Sequence, residues 1–238
     1  MALFQPATFL QYLLSVNYAT AAINTLWISL ASLILGLAVG LILAVSQEAR
    51  FAPIRAAVTI YLWLFRGTPV LSQIVFAFNV LPSFGIVLSG YVCAVLALGL
   101  NEGAYMAEIM RAGIGAVGLG QREAARTLGL GEWQIMRWIV LPQATRIVIP
   151  PIGNPFIGML KLSALVSVIG VRELLLIADQ AASSNFRYLE ALSAAGFYYL
   201  ALTTVFMTVQ NRIEWALRPE RSTPPMGFLP RSQFVRPM

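Results

Sequence analysis

The chain has 238 residues, 58% of them hydrophobic and only 11% charged, with a mean hydropathy of +0.76. Soluble domains carry about 25% charged residues, so this composition cannot cover a globular surface and defines an integral membrane protein. The excess of basic residues, 16 Lys and Arg against 10 acids, fits cytoplasmic loops rather than nucleic-acid binding; one cysteine (Cys93) and no histidine exclude a disulfide framework, Cys- or His-based metal clusters and histidine acid–base catalysis.

The start, MALFQPATFLQYL, lacks the positive charge of a cleavable signal, so the first segment is expected to be retained. A transmembrane helix needs about 20 mostly apolar residues. The first such block covers residues 21–45 and holds no charge. The second, 56–78, is interrupted by Arg66-Gly67-Thr68-Pro69. The third, 86–107, carries Asn101 and Glu102 towards its end, with Glu108 just beyond. The fourth, 143–169, holds Pro150, Pro151, Gly153, Pro155 and Gly158 near its start and Lys161 near its middle. The fifth covers 189–209. Five spans and an all-α membrane fold are expected.

Charge sets the orientation. Arg50 and Arg55 follow span one, Arg111 to Arg146 surround the loop after span three, and five arginines lie from Arg212 to Arg236. Arg172 and Arg187 on the other side are offset by Glu173, Asp179 and Glu190. The N-terminus is therefore expected outside and the C-terminus in the cytoplasm. Residues 1–218 form the transmembrane domain in this reading, and 219–238, rich in proline and arginine, form a mobile cytoplasmic tail. No internal repeat is visible, which disfavours a pathway made by two halves of one chain; a dimer with a like subunit is the natural completion.

Residues 123–142 read EAARTLGLGEWQIMRWIVLP, a charged and glycine-punctuated run between two apolar blocks. Gly129 and Gly131 permit a sharp turn between a short helix over 121–128 and a second beginning at Glu132. A short helix presented to a partner's groove is a common recognition mode. The spacing of Glu123-Ala124-Ala125, Gly129, Ile139 and Leu141-Pro142 resembles the EAA loop of binding-protein-dependent ABC importer permeases. The resemblance extends through LFRGTPVLSQ, LNEGAYMAEIMRAGI and LPQATRIVIPPIGNPFIGMLKLSALVSVIGVREL to the polar amino-acid group, the histidine/glutamine type, over residues 61–217.

That resemblance implies the type I importer permease fold in a bacterial inner membrane, and import of an amino acid or an opine-like derivative. It implies a periplasmic solute-binding protein, a second homologous permease subunit, and a pair of ATPase subunits that hold ATP and Mg. The loop of about 112–142, with Glu123, Ala124, Ala125, Gly129, Leu141 and Pro142, would couple to the ATPase. The chain itself would need no cofactor. Its sole lysine, Lys161, lacks the glycine pattern of a phosphate-binding loop, so the energy source lies elsewhere.

The family commonly has an acidic or amide residue after the span-four lysine, where this chain has Leu162. Candidate pathway residues are Arg66, Glu102, Asn154, Lys161, Ser163 and Ser167. Charges at membrane depth cost at least ~2.5–3.5 kcal/mol and face a cavity or a partner charge. Arg66 and Lys161 can each meet a substrate carboxylate, or pair with Glu102 or Glu108 to hold the bundle. Two other classes compete: a membrane-embedded enzyme, for which the scattered acids are a poor fit, and an ATP-independent channel or scaffold subunit.

Overall fold

The structure is a computed structural model describing residues 4–49 and 51–217. Arg50, the last arginines of the charge asymmetry and the 219–238 tail lie outside the described residues. The described chain is helical throughout.

A short helix α1 (Pro6–Leu13) starts at a proline, whose missing N–H is harmless in a first turn. α2 (Val16–Gln47) is capped by Ser15, whose hydroxyl accepts from the Tyr18 amide. α3 (Ala52–Gly67) and α4 (Val70–Asn79) meet at an angle of 101°. The sequence dictates that bend. Pro69 has no N–H for the Phe65 carbonyl one turn back, and it forces the preceding Thr68 into extended backbone (φ −116°, ψ 143°). The freed Phe65 carbonyl accepts instead from Gln73 Nε2 at 3.0 Å and Asn101 Nδ2 at 2.8 Å.

α5 (Gly90–Ala116), capped by Ser89, is the centre of the bundle. Of its most apolar stretch 61% is buried, against 33% for α2 and 11% for the last long helix. α2 lies close along it because both present small residues at four-residue spacing: Ser32, Gly36 and Gly40 on one, Gly99 and Gly103 on the other. A Cβ on Gly40 would stand 2.5 Å from the Met106 Cβ, and one on Gly103 2.7 Å from Val39 Cγ1. The outer faces of α2 leave Trp27, Ile34 and Ile42 exposed, as lipid contact requires.

The chain then makes α6 (Leu119–Thr127) and α7 (Glu132–Ile135), a π-helical turn over Met136–Val140, and α8 (Leu141–Leu162). A 3₁₀ segment, Ser163–Ile169, ends at Gly170 with φ 75°. α9 (Leu174–Asn185) and α10 (Tyr188–Leu217) complete the fold. Glu173 caps α9: its carboxylate accepts from the Leu175 and Leu176 amides at 2.8 and 2.7 Å and from Tyr199 Oη at 2.6 Å. Asn24 of α2 donates to the Arg172 carbonyl and to Tyr91 Oη of α5, placing these three segments at one end of the bundle. α1 joins that end, since the Gln5 amide donates to Glu190 of α10.

Among the described residues four helices are each long and apolar enough to cross a membrane, and the bent pair α3–α4, counted as one broken span, gives the fifth that the sequence led one to expect. Pro150, Pro151 and Pro155 lie inside continuous α8, and the departures from α-helix fall before Leu141 and after Leu162.

Candidate coupling loop and substrate pathway

The 112–142 segment is built on its own small core: Ile114, Val117, Ala125, Ile135, Val140 and Ala144 pack together. α6 ends in a Schellman motif, with the Gly129 amide bonded to the Arg126 carbonyl and the Leu130 amide to the Ala125 carbonyl. Gly129 has φ 81°. A side chain there would have open space around it, so the backbone angle, rather than crowding, selects glycine. Arg126 bridges to Glu132 across the turn at 2.7 Å, and this hydrogen bond raises the arginine's pKa. Arg122 donates to the Ile114 carbonyl at 2.8 Å, fastening α6 to the last turn of α5.

The coupling candidates divide by burial. Ala125 is buried, Leu141 is half-buried, and Glu123, Ala124, Gly129 and Pro142 are exposed. Beside them Leu119, Leu128 and Trp133 stand 75%, 81% and 70% exposed. The loop is thus packed underneath and presents an apolar surface on top.

The pathway candidates do not converge on one point. Arg66 pairs with Glu108, not Glu102: its Nη1 lies 3.8 Å from Glu108 Oε2, and its guanidinium sits 5.7 Å from the Tyr105 ring centre. Arg111 approaches the same Oε2 at 3.3 Å. Glu102 is buried against α2, where a Cβ on Gly36 would lie 3.0 Å from its own Cβ. Asn154 is exposed and faces Gln210 across α10 at 3.5 Å. Lys161 is exposed, whereas Ser163 is buried and donates to the Leu160 carbonyl. Ser167 donates to the Ala164 carbonyl. The lysine and the two serines therefore do not line one cavity. Leu162 packs with Leu165 against the core around Met159 and Val166.

Two hollows flank the α3–α4 bend. One of about 420 Å³ is almost wholly apolar, between Phe65, Phe76, Leu81 and Leu96. The other, of about 600 Å³, lies between the end of α2, α3 and α5, and is lined by Gln47, Trp63, Arg66, Tyr105 and Glu108. Residue-by-residue reading missed Gln47, Gln73, Trp63 and Tyr105. A glutamine at the end of an apolar run looks like any interfacial residue; Trp63 stands one turn before Arg66 on α3, while Gln47 and Tyr105 reach it only through the packing of α2 and α5 against α3.

Comparison with known proteins identifies the class. Residues 36–219 match the family "Binding-protein-dependent transport system inner membrane component", and the chain belongs to it. An arginine transport system permease protein of Corynebacterium glutamicum is 39% identical over 221 residues, covering 87% of this chain and 70% of that protein. An arginine permease protein of Bacillus subtilis is 37% identical, covering 82% of this chain and 89% of that one. A glutamine transport system permease protein of Escherichia coli is 35% identical, covering 80% and 88%. Among solved structures, an amino acid ABC transporter matches with a TM-score of 0.85 at 35% identity, over 90% of this chain and all of that one. The inward-facing MetNI methionine transporter matches at 0.72 and 20% identity, over 85% and 97% of the two chains, which shows the fold alone. The chain is thus an inner-membrane permease subunit with the importer permease fold.

Proposed function

We propose that this subunit imports an amino acid or an amino-acid derivative, of the polar amino-acid or opine class. A periplasmic solute-binding protein delivers the substrate, and a second, homologous permease subunit completes the pathway. ATP and Mg are held by a pair of ATPase subunits, so the chain itself performs no catalysis. Residues 1–218 act as the permease domain and 219–238 as a cytoplasmic tail.

The observation that carries the reading is the 112–142 loop: a self-packed turn with Leu119, Leu128 and Trp133 bare on its surface, in a chain similar to arginine and glutamine permeases. In this reading Glu123, Ala124 and Gly129 face the ATPase, while Ala125, Leu141 and Pro142 hold the loop's shape. Arg66, Asn154 and Lys161 face the pathway at different depths, Glu102 lies behind it against α2, and Ser163 and Ser167 shape the backbone beside it.

The test is reconstitution with the ATPase, the second permease and the binding protein in liposomes. ATP-driven uptake of a labelled amino acid that requires the binding protein is the expected result. Activity of the isolated chain on lipid, or solute flux without ATP, would overturn it.

A further inference from the structure

The 600 Å³ hollow beside Arg66 has a chemistry that the coupling loop and the Lys161 region lack. Its volume falls in the ~300–1,000 Å³ range of small-molecule sites. Its wall combines a cation, an anion, two aromatic rings and an amide. Glu108 uses only Oε2 for both arginines, and its contact with Arg66 is long, at 3.8 Å. Two guanidiniums against one carboxylate leave a net positive charge, and a guanidinium has five donors, of which this contact engages Nη1. Gln47 Nε2 is enclosed yet has no hydrogen-bond partner among the described residues, an arrangement that costs free energy unless a ligand takes the bond.

We propose that this hollow binds the main-chain part of a free α-amino acid. The carboxylate lies on Arg66 and Gln47 Nε2, the ammonium lies on Glu108 Oε1 and the Tyr105 ring, and the side chain lies along Trp63. A zwitterion sets four alternating charges in a ring, satisfying the free guanidinium donors and the free carboxylate oxygen together. An ammonium over an aromatic face gains cation–π attraction. A lone anion would meet Glu108, and a lone cation would meet two arginines, so both are disfavoured.

The hollow's depth says when it fills. Gln47 ends α2 at the end opposite Asn24, and the Asn24–Arg172 end is the outer one by charge asymmetry. The site therefore lies in the cytoplasmic half and holds the amino acid on its way out to the cell interior. This inference rests on the amino-acid reading above.

The experiment uses the full transporter in nanodiscs, without binding protein, and reads Trp63 fluorescence. Glycine, L-alanine, L-glutamine and L-arginine are titrated to millimolar concentration, with agmatine (no carboxylate) and N-acetyl-L-arginine (no ammonium) as controls. Zwitterions should change the emission in a saturable way that Trp63→Phe abolishes, and the two controls should not. Arg66→Gln should weaken binding about tenfold or more. Should that variant fold poorly, Gln47→Leu tests the same carboxylate contact and should weaken binding by about fivefold. Binding unchanged in a well-assembled Gln47→Leu transporter overturns the assignment. So does a Trp63 signal that tracks nanodisc lipid composition and ignores amino acids, which would mean a lipid headgroup fills the hollow. The same preparation is assayed for uptake with binding protein and ATP. Uptake without any Trp63 response sinks this site alone, whereas absence of amino-acid uptake sinks the functional reading beneath it.

Discussion

Asn101 Nδ2 donates to the Phe65 carbonyl at 2.8 Å, from α5 to the break between α3 and α4. This carbonyl is the one that Pro69 deprives of its helical partner, so a buried asparagine repairs a defect created four residues along another helix. Gln73 supplies the second donor at 3.0 Å. Pro69 makes the bend, and these two donors satisfy the carbonyl it frees, one residue before Arg66, which reaches Glu108.

Removing one donor leaves the carbonyl with the other, so Asn101→Leu should cost about 1 kcal/mol. Asn101→Leu with Gln73→Leu strands the carbonyl and should cost more than the sum of the single changes, by about 0.5–3 kcal/mol. Thermal unfolding of the detergent-purified transporter measures both. Strict additivity would show that the two donors do not share one acceptor.

Gly129 gives a coupling prediction. A side chain at φ 81° costs up to about 1–2 kcal/mol and less for Asp, too little to unfold the bundle, but an Asp also puts a new carboxylate on the exposed α6–α7 turn. Gly129→Asp should insert normally yet lose co-purification with the ATPase and transport-linked ATP hydrolysis. Normal coupling in a well-inserted variant would remove the loop from that role.

Helix packing offers a control of a different kind. A Cβ at Gly103 stands 2.7 Å from Val39 Cγ1, and overpacking costs about 1–3 kcal/mol. Gly103→Leu should lower the melting temperature and the yield of the whole subunit, whereas Gly115→Leu, where a Cβ meets nothing within 4 Å, should change neither.

Topology can be checked directly. Arg126 is expected inside and Asn185 outside. Single cysteines there, in a Cys93→Ala background, should react with an impermeant reagent from opposite sides of the membrane. Reaction of both from one side would overturn the orientation.

Much of this was legible in the sequence because it is local. The glycine pair at Gly129 and Gly131, the proline at 69 and the apolar runs each act within a turn or two of themselves. The Arg66 break was readable for that reason, and the Arg66–Glu108 pair was one of the partnerships the sequence left open. The repair by Asn101 and the enclosure of the Gln47 amide depend on which helices touch, and residue spacing does not encode that. The continuity of α8 through Pro150, Pro151 and Pro155 was not legible for a related reason. A membrane helix surrounded by neighbours tolerates lost hydrogen bonds that would break an isolated one.

Lys161 tests whether this subunit itself reads substrate. It is exposed at the end of α8, while Ser163, rotated by about 200° on an ideal helix, is buried with its hydroxyl on the Leu160 carbonyl. The 3₁₀ segment that begins at Ser163 turns by about 120° per residue, which does not bring the two to one side. Lys161 therefore acts without the serines, and Leu162 beside it is committed to the core. Lys161→Ala should lower uptake about tenfold or more, the size of one lost charged contact. Assembly with the ATPase and basal ATP hydrolysis should be unchanged. A wild-type uptake rate with saturating binding protein would instead assign this contact to the second permease subunit, and Leu162 would then mark this chain as the member of the pair that does not read the side chain.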